Sequence, residues 1–410
     1  MSLSEKKQGI FYGWILVACG VLVMAMTHGV VINCFSLFII PVTDSLQVSR
    51  ESFSLCLSIV NAIYAVISLT SGAIYRRLKV HTLMKLSAIL LPAAYIGYGF
   101  CRSLPAFYAC AVLAGVSISF LTFLPWTQII CNWFVEKQGT ALGICFMGTG
   151  LGGMVFNMLT ALLLEHFGVR TAFVAIGVAM LVVLVPVIFL VVRIHPAEMG
   201  MQPLGVKSDA ASEERQVYGP MLKDAVRTVS FWALLAVALI IGLDSIVAGN
   251  IIAPHLCDLG YDTLYASGVV SAYMAALALM KILHGRLYDW IGAIKGTVVS
   301  LCGFVVGFLG LYFAGMQWTH ALILIIALGT SSSNVSYPIT TRYAFGTRDY
   351  TSIYGIMMGM NFVTCSVGVV LANSVYSAAG TYDPMILVCS GMGVLAIALL
   401  PFIKQCVPKH

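Results

Sequence analysis

The sequence predicts an all-α membrane protein with twelve transmembrane helices in two six-helix, pseudo-symmetric bundles. Three observations lead there: an apolar composition, a regular train of spans, and a repeat between the halves. The chain has 410 residues, 60% hydrophobic and only 9% charged. Soluble domains carry about 45–50% apolar and about 25% charged residues. Charge this sparse cannot cover a soluble surface, which argues against a soluble enzyme, a nucleic-acid binder or a disordered chain.

A spanning helix needs about 20 apolar residues. Stretches of that kind occupy 11–40, 49–75, 82–101, 104–132, 139–163 and 169–193, then 229–254, 264–288, 293–315, 318–343, 351–378 and 382–403. We number these helices one to twelve. Most connections are short. The exception, 194–228, holds Glu198, Lys207, Asp209, Glu213, Glu214, Arg215, Lys223, Asp224 and Arg227. It is expected to be a cytoplasmic linker between an N-terminal bundle, 1–193, and a C-terminal bundle, 229–410. Lys6 and Lys7 precede the first apolar stretch, which is too long for a cleavable signal peptide. The 12 cysteines form no C-x-x-C and no metal-spaced cluster, and they read as small packing residues.

Positive charge sets the orientation. With the N-terminus inside, Lys6, Lys7, Arg76, Arg77, Lys79, Lys85, Lys137, Arg193, Lys207, Arg215, Lys223, Arg227, Arg286, Lys295, Arg342, Arg348, Lys404 and Lys409 all fall on the cytoplasmic side. Of the 22 lysines and arginines, Arg50, Arg102 and Arg170 fall outside, and Lys281 lies within helix eight. The expected location is that of a multi-pass protein of the plasma (inner) membrane, and this asymmetry predicts that both termini are cytoplasmic. It also explains the net charge of +6 without nucleic acid.

The halves repeat. Gly72-Ala-Ile-Tyr-Arg-Arg after helix two matches Gly285-Arg-Leu-Tyr-Asp-Trp after helix eight. Pro125 of helix four matches Pro338 of helix ten at the same offset, and Gly143 matches Gly355 within one residue of it. Two parallel repeats imply a site between two bundles, near the bilayer midplane.

Gly285-Arg-Leu-Tyr-Asp289-Trp-Ile-Gly292-Ala-Ile-Lys295 fits G-x-x-x-D-x-x-G-x-x-[KR]. It resembles the signature loop of the major facilitator superfamily, which implies the major facilitator fold. The glycines permit a tight turn and close helix approach, and Asp289 can cap a helix start or hold a cation. The N-half copy departs from the pattern, with Arg76 and Lys79 at the Asp and second-Gly positions. That departure puts the usual N-half gate interaction in question.

A narrower resemblance spans nearly the whole chain. Asn33-Cys-Phe-Ser-Leu-Phe-Ile-Ile-Pro41, Asn132-Trp-Phe-Val-Glu-Lys-Gln-Gly139-Thr-Ala-Leu-Gly143, His195-Pro-Ala-Glu-Met-Gly200-Met-Gln-Pro203-Leu-Gly205, Arg227-Thr-Val-Ser-Phe-Trp232, Phe345-Gly-Thr and Tyr354-Gly355 resemble, in order and spacing, bacterial monocarboxylate porters and oxalate:formate antiporters. Those families place a substrate-binding Arg in helix eight, four residues before the signature Gly. The resemblance assigns that position to Lys281. Where the oxalate:formate branch has a helix-eleven Lys, this chain has Asn361. Where animal monocarboxylate porters have a helix-one Lys, it has Asn33.

The polar residues inside the spans are few. A lysine at a helix centre costs about 2.5–3.5 kcal/mol by insertion scales. Lys281 is therefore read as a carboxylate anchor, against the alternative that it snorkels from one turn inside the cytoplasmic end. Asp244 lies about midway along helix seven and can load and release a proton. It is the primary candidate for proton coupling, against a permanent ion pair with Lys281 or an interhelical hydrogen bond. His28 in helix one is a second proton candidate, against a neutral core histidine. Trp126 and Gln128 after Pro125, and Asn334 and Tyr337 before Pro338, are candidate cavity residues, although core packing reads identically. Gly148, Gly150, Gly152 and Gly153 read as helix-packing contacts.

The reading is a secondary active transporter of a small organic anion, a monocarboxylate coupled to protons, working by alternating access as a monomer. Lys281, Asn361, Asn33, Tyr337 and Trp126 would hold the substrate. Asp244 and His28 would carry the proton. Gly285, Asp289, Gly292 and Lys295 would form the gate. No Walker motif, catalytic triad or metal constellation occurs, so no enzyme and no cofactor are expected. One rival is a dicarboxylate/monocarboxylate exchanger. A second is efflux of an apolar or cationic compound along Met26, Met147, Met154, Met274 and Met280. Gly153, where drug:proton antiporters carry Pro, counts against efflux. A third rival, of another class, is a non-transporting nutrient sensor.

Overall fold

The computed structural model describes residues 11–205, 218–258, 260–313 and 318–406. Lys6, Lys7, Lys207, Asp209, Glu213, Glu214, Arg215 and Lys409 lie outside the described residues. All twelve expected helices are present. Helix one is Tyr12–Met24, a π-helical segment Ala25–Asn33, and Phe35–Leu46. Helix two is Arg50–Arg77, helix three Val80–Tyr98, and helix four Leu104–Ser119 followed by Phe123–Trp133. Helices five and six form one hydrogen-bonded run, Gln138–Pro186, ending in the π-helical Val187–Val191. They part at Gly168, where φ is 75°, a conformation that only glycine adopts without steric cost. Helices seven to nine are Val229–Asp258, Thr263–Ile291 and Ala293–Phe313. Helices ten and eleven are Thr319–Phe345 and Tyr350–Ala379, and helix twelve is Asp383–Leu399.

Local chemistry explains the boundaries. Ser49 caps helix two through the Ser52 amide, Glu51 sits in the first turn, and Arg76 and Arg77 sit in the last, each sign favourable to the helix dipole. Proline occupies the first turns of the Leu104 and Asp383 helices, where no amide is lost. Helix eleven stops at Gly380 with φ of 73°. Leu22, Val66, Met158, Leu190, Val306 and Phe313 are exposed. These spans are apolar on their outer faces as well as their inner ones, as bilayer contact requires.

Helix four departs from the single span expected over 104–132. It breaks at Phe120–Thr122, so Pro125 lies in a first turn and frees no mid-helix carbonyl. Pro338, by contrast, is inside a continuous helix ten, and the Tyr350 hydroxyl donates to its carbonyl at 3.1 Å.

The linker ends dock in matching places. Leu204 pairs with the loop after helix four, its amide donating to the Trp133 carbonyl at 2.9 Å. The Tyr218 carbonyl accepts from the Thr347 and Arg348 amides, in the loop after helix ten, at 2.8 and 3.0 Å. The repeat read from the sequence thus recurs in how each half receives the linker.

Candidate functional site between the bundles

Two helix pairs form most of the contact between the halves: five with eight, and two with eleven. At the first seam the backbones touch. A Cβ on Gly143 would overlap the Lys281 carbonyl, and one on Gly285 would overlap the Gly139 carbonyl. Glycine at 139, 143 and 285 is what lets helix five reach helix eight so closely.

That approach positions Lys281. Its side chain is 4% exposed. The ammonium donates to Thr149 Oγ1 at 2.6 Å and to the Phe146 carbonyl at 3.4 Å, both on helix five. It therefore crosses the seam into the other half instead of snorkelling to the interface. Asn33 meets the same turn, donating from Nδ2 to the Thr149 carbonyl at 3.0 Å. Thr149 thus links two residues that the sequence proposed separately. Sequence reasoning did not single it out. The steps Gly139, Gly143, Phe146 and Gly150, three or four residues apart, mark the helix-five face next to which Thr149 lies.

His28 lies five residues before Asn33 on helix one. Its ring meets Phe123 edge-on at 5.3 Å, and Phe123 meets Phe146 at 5.1 Å. Its Nδ1 is buried without a hydrogen-bond partner. Asn361 and Tyr337 form a second cluster, within the C-terminal half. Asn361 Nδ2 donates to the Tyr337 hydroxyl at 2.9 Å, and that hydroxyl donates to the Ala238 carbonyl of helix seven at 3.0 Å. The second seam adds the Tyr64 ring, 4.0 Å from that of Phe362, and a 3.3 Å hydrogen bond between Thr127 and the Tyr354 hydroxyl.

Two candidates lie away from this seam. Trp126 is fully buried, packed where a Cβ on Gly20 would meet it and Cys145. It packs where helices one, four and five meet, and its indole Nε1 is buried without a hydrogen-bond partner. Asp244 is 0% exposed and points at helix twelve, 3.9 Å from where a Gly393 Cβ would stand. Both its carboxylate oxygens lack hydrogen-bond partners, and the Cys389 thiol lies beside it. The ion pair with Lys281 weighed from sequence is not formed: Lys281 bonds to helix five. A buried residue the sequence reading passed over, His284, sits one turn beyond Lys281, between Ser331 at 2.7 Å and a close Ser300.

The signature loop ties the halves at one end. Asp289 Oδ1 accepts from the Gly139 amide at 2.7 Å, and Oδ2 accepts from the Thr140 amide and hydroxyl at 2.7 and 2.6 Å. A carboxylate here caps the N-terminus of helix five and opposes its dipole. Gly292 has φ of 84°, as the turn after helix eight requires, and Lys295 is exposed. The N-half copy makes a charge-inverted contact. Arg76 lies 3.5 Å from Asp349, with side chains 65% and 20% exposed, and Asp349 Oδ2 accepts from the Leu222 amide at 2.9 Å. Arg342 of helix ten donates to the Cys131 carbonyl at the end of helix four, at 3.3 Å. The gate contact that Arg76 and Lys79 put in question is thus replaced, not absent.

This architecture has close counterparts. The MFS proton:xylose symporter XylE, bound to 6-bromo-6-deoxy-D-glucose, superposes with a TM-score of 0.72 at 14% identity, covering 97% of this chain and 96% of that one. The MFS transporter FucP in the outward conformation gives 0.70 at 12% identity, over 96% and 98%. At such identities the likeness is one of fold. Among sequence relatives, the MFS-type transporter YcxA of Bacillus subtilis is 22% identical over 86% of this chain and 84% of its own. The oxalate:formate antiporter of Oxalobacter formigenes is 24% identical over 95% and 91%. Monocarboxylate transporter 13 of Rattus norvegicus is 23% identical over 97% and 90%. Residues 17–369 match the Major Facilitator Superfamily; with its two glycine-seamed bundles and Asp289-capped signature loop, the chain belongs to that superfamily and is a multi-span membrane transporter, not an enzyme.

Proposed function

We propose that this transporter carries a small monocarboxylate together with protons, by alternating access between its two bundles, in the plasma (inner) membrane with both termini cytoplasmic. Lys281 carries the reading. It is a buried cation on the seam between the halves, and its partners in the described structure are neutral, Thr149 Oγ1 and the Phe146 carbonyl. An ammonium out of water gains most from an anion, and a carboxylate arriving at the seam supplies one. Asn33 and Asn361 stand where related families carry further lysines. They offer amides to a hydroxyl or carbonyl, so a second carboxylate would enter without a counter-charge. The relatives named for oxalate, formate and monocarboxylates support the same substrate class.

Asp244 is the acidic group buried deep in the C-terminal half, and a proton gained or lost there changes the charge of that half by one. Because it is not paired with Lys281, coupling would run through the packing of helices seven and twelve, not through competition for one ammonium. The contacts of Asp289, Arg76 and Arg342 hold the state closed at the signature-loop end, and the opposite state requires their release.

The test is uptake into proteoliposomes of a lactate-like acid, of oxalate and of a lipophilic cation, with and without an inward proton gradient. Monocarboxylate accumulation that rises with the gradient and vanishes in Lys281→Gln supports the reading. Oxalate taken in preference, and indifferent to the gradient, would establish the exchanger instead. Cation movement unaffected by Lys281→Gln would point to efflux.

A further inference from the structure

We infer that a cleft beside the helix five–eight seam is a site for a phospholipid with an anionic headgroup, which bridges the two halves and favours the state closed at the signature-loop end. The cleft has a volume of 940 Å³ and draws its walls from both bundles. Helix one and the start of helix five contribute Trp14, Lys137 and Thr140. Helices eight, nine and ten contribute Arg286, Trp290 and an apolar wall that includes Leu283, Leu287, Val299 and Leu328.

Its chemistry is graded along the membrane normal. Leu283, Leu287 and Trp290 follow one another along helix eight over about 10 Å of rise, from the apolar interior to the helix end. Lys137 precedes the first residue of helix five, and Arg286 lies one turn before the end of helix eight. Both are exposed, and neither forms an ion pair among the described residues. Asp289 also borders the cleft, but its oxygens are taken up by the Gly139 and Thr140 groups. Two cations therefore face one opening whose single carboxylate is held by the start of helix five, which leaves the rim with a net positive charge. Trp290, 83% exposed, has the amphipathic ring that settles at headgroup depth. A basic rim above an apolar wall at that depth matches an anionic headgroup with its acyl chain. A soluble anion would leave the apolar wall uncovered, and a zwitterionic lipid, whose phosphate carries its own cation, would bring no net negative charge to the rim.

The consequence for conformation follows from the walls. If the halves separate at this end, Lys137 leaves Arg286 and the cleft ceases to exist. A lipid that binds only the closed form must shift the population toward it. None of this depends on which compound is transported.

The experiment is thermal unfolding of the purified full-length protein in neutral detergent, with added phosphatidylglycerol, phosphatidylcholine or soluble glycerol phosphate. Phosphatidylglycerol is expected to raise the midpoint by about 2 °C or more beyond phosphatidylcholine. Glycerol phosphate is expected to do nothing. Lys137→Gln with Arg286→Gln should remove at least half of the specific shift, as should Val299→Phe, which fills the wall and leaves the charges alone. Equal shifts from both lipids, or a full shift retained in both variants, would overturn the inference. A shift reproduced by glycerol phosphate would assign the cations to a free anion and overturn it equally.

Discussion

Replacing Lys281 with methionine separates its roles in binding and in folding. The two side chains are similar in length. Lys281 is 4% exposed, and its ammonium rests on two neutral acceptors, at 2.6 and 3.4 Å. Its removal strands no buried donor, because Thr149 Oγ1 keeps its own bond to the Phe146 carbonyl at 2.9 Å and Asn33 holds the Thr149 carbonyl. Exchanging buried charge for apolar volume is commonly neutral, or stabilising by about 1–4 kcal/mol. The substrate-free Lys281→Met protein should therefore unfold at or above the wild-type temperature. Binding should behave oppositely. Removing one partner of a buried ion pair costs about 3–5 kcal/mol, or about 10²–10⁴-fold in affinity. Unfolding midpoints with and without a monocarboxylate, together with proteoliposome uptake, read both quantities. A Lys281→Met protein that unfolds several degrees below wild type would make the lysine structural. One that keeps its ligand-induced shift would refute the anchor outright.

Three further outcomes follow from the geometry. Thr149→Val removes the strongest resting partner of Lys281, so monocarboxylate affinity should rise about threefold, the worth of a typical interhelical hydrogen bond of about 0.6 kcal/mol; weaker binding would place Thr149 on the substrate instead. Gly285→Ala pushes a Cβ into the Gly139 carbonyl, so the distance between spin labels attached at Lys137 and Arg286 should lengthen, and an unchanged distribution would mean that the seam yields elsewhere. Asp244→Asn costs at most a weak contact with the Cys389 thiol, since the carboxylate oxygens have no other partner. Its unfolding midpoint should stay within about 2 °C of wild type while gradient-driven accumulation is lost and exchange persists; full accumulation would move the proton role to His28.

The residues that sequence placed well are those whose neighbours are close along the chain or forced by the bilayer. Twelve apolar stretches dictate twelve helices, because hydrocarbon leaves backbone groups no other partner. Asp289 lies in a loop whose glycines set the turn, and a helix cap was one of the two roles its position offered, the other being to hold a cation. Lys281 stood out because charge is expensive at that depth. Partners on other helices were not legible. In these helices apolar residues cover the outer face as well as the inner, so the pattern does not say which face meets which helix. Periodicity therefore could not reveal that Lys281 reaches Thr149, that Asp244 turns to helix twelve, that Trp126 packs against Gly20, or that His284 sits between two serines. The sequence alone determined the span count and marked Lys281 as a cation inside a span. The pairing of each polar side chain was decided only by the packing of helices distant along the chain, since a buried polar group takes the donor or acceptor that packing brings within about 3 Å.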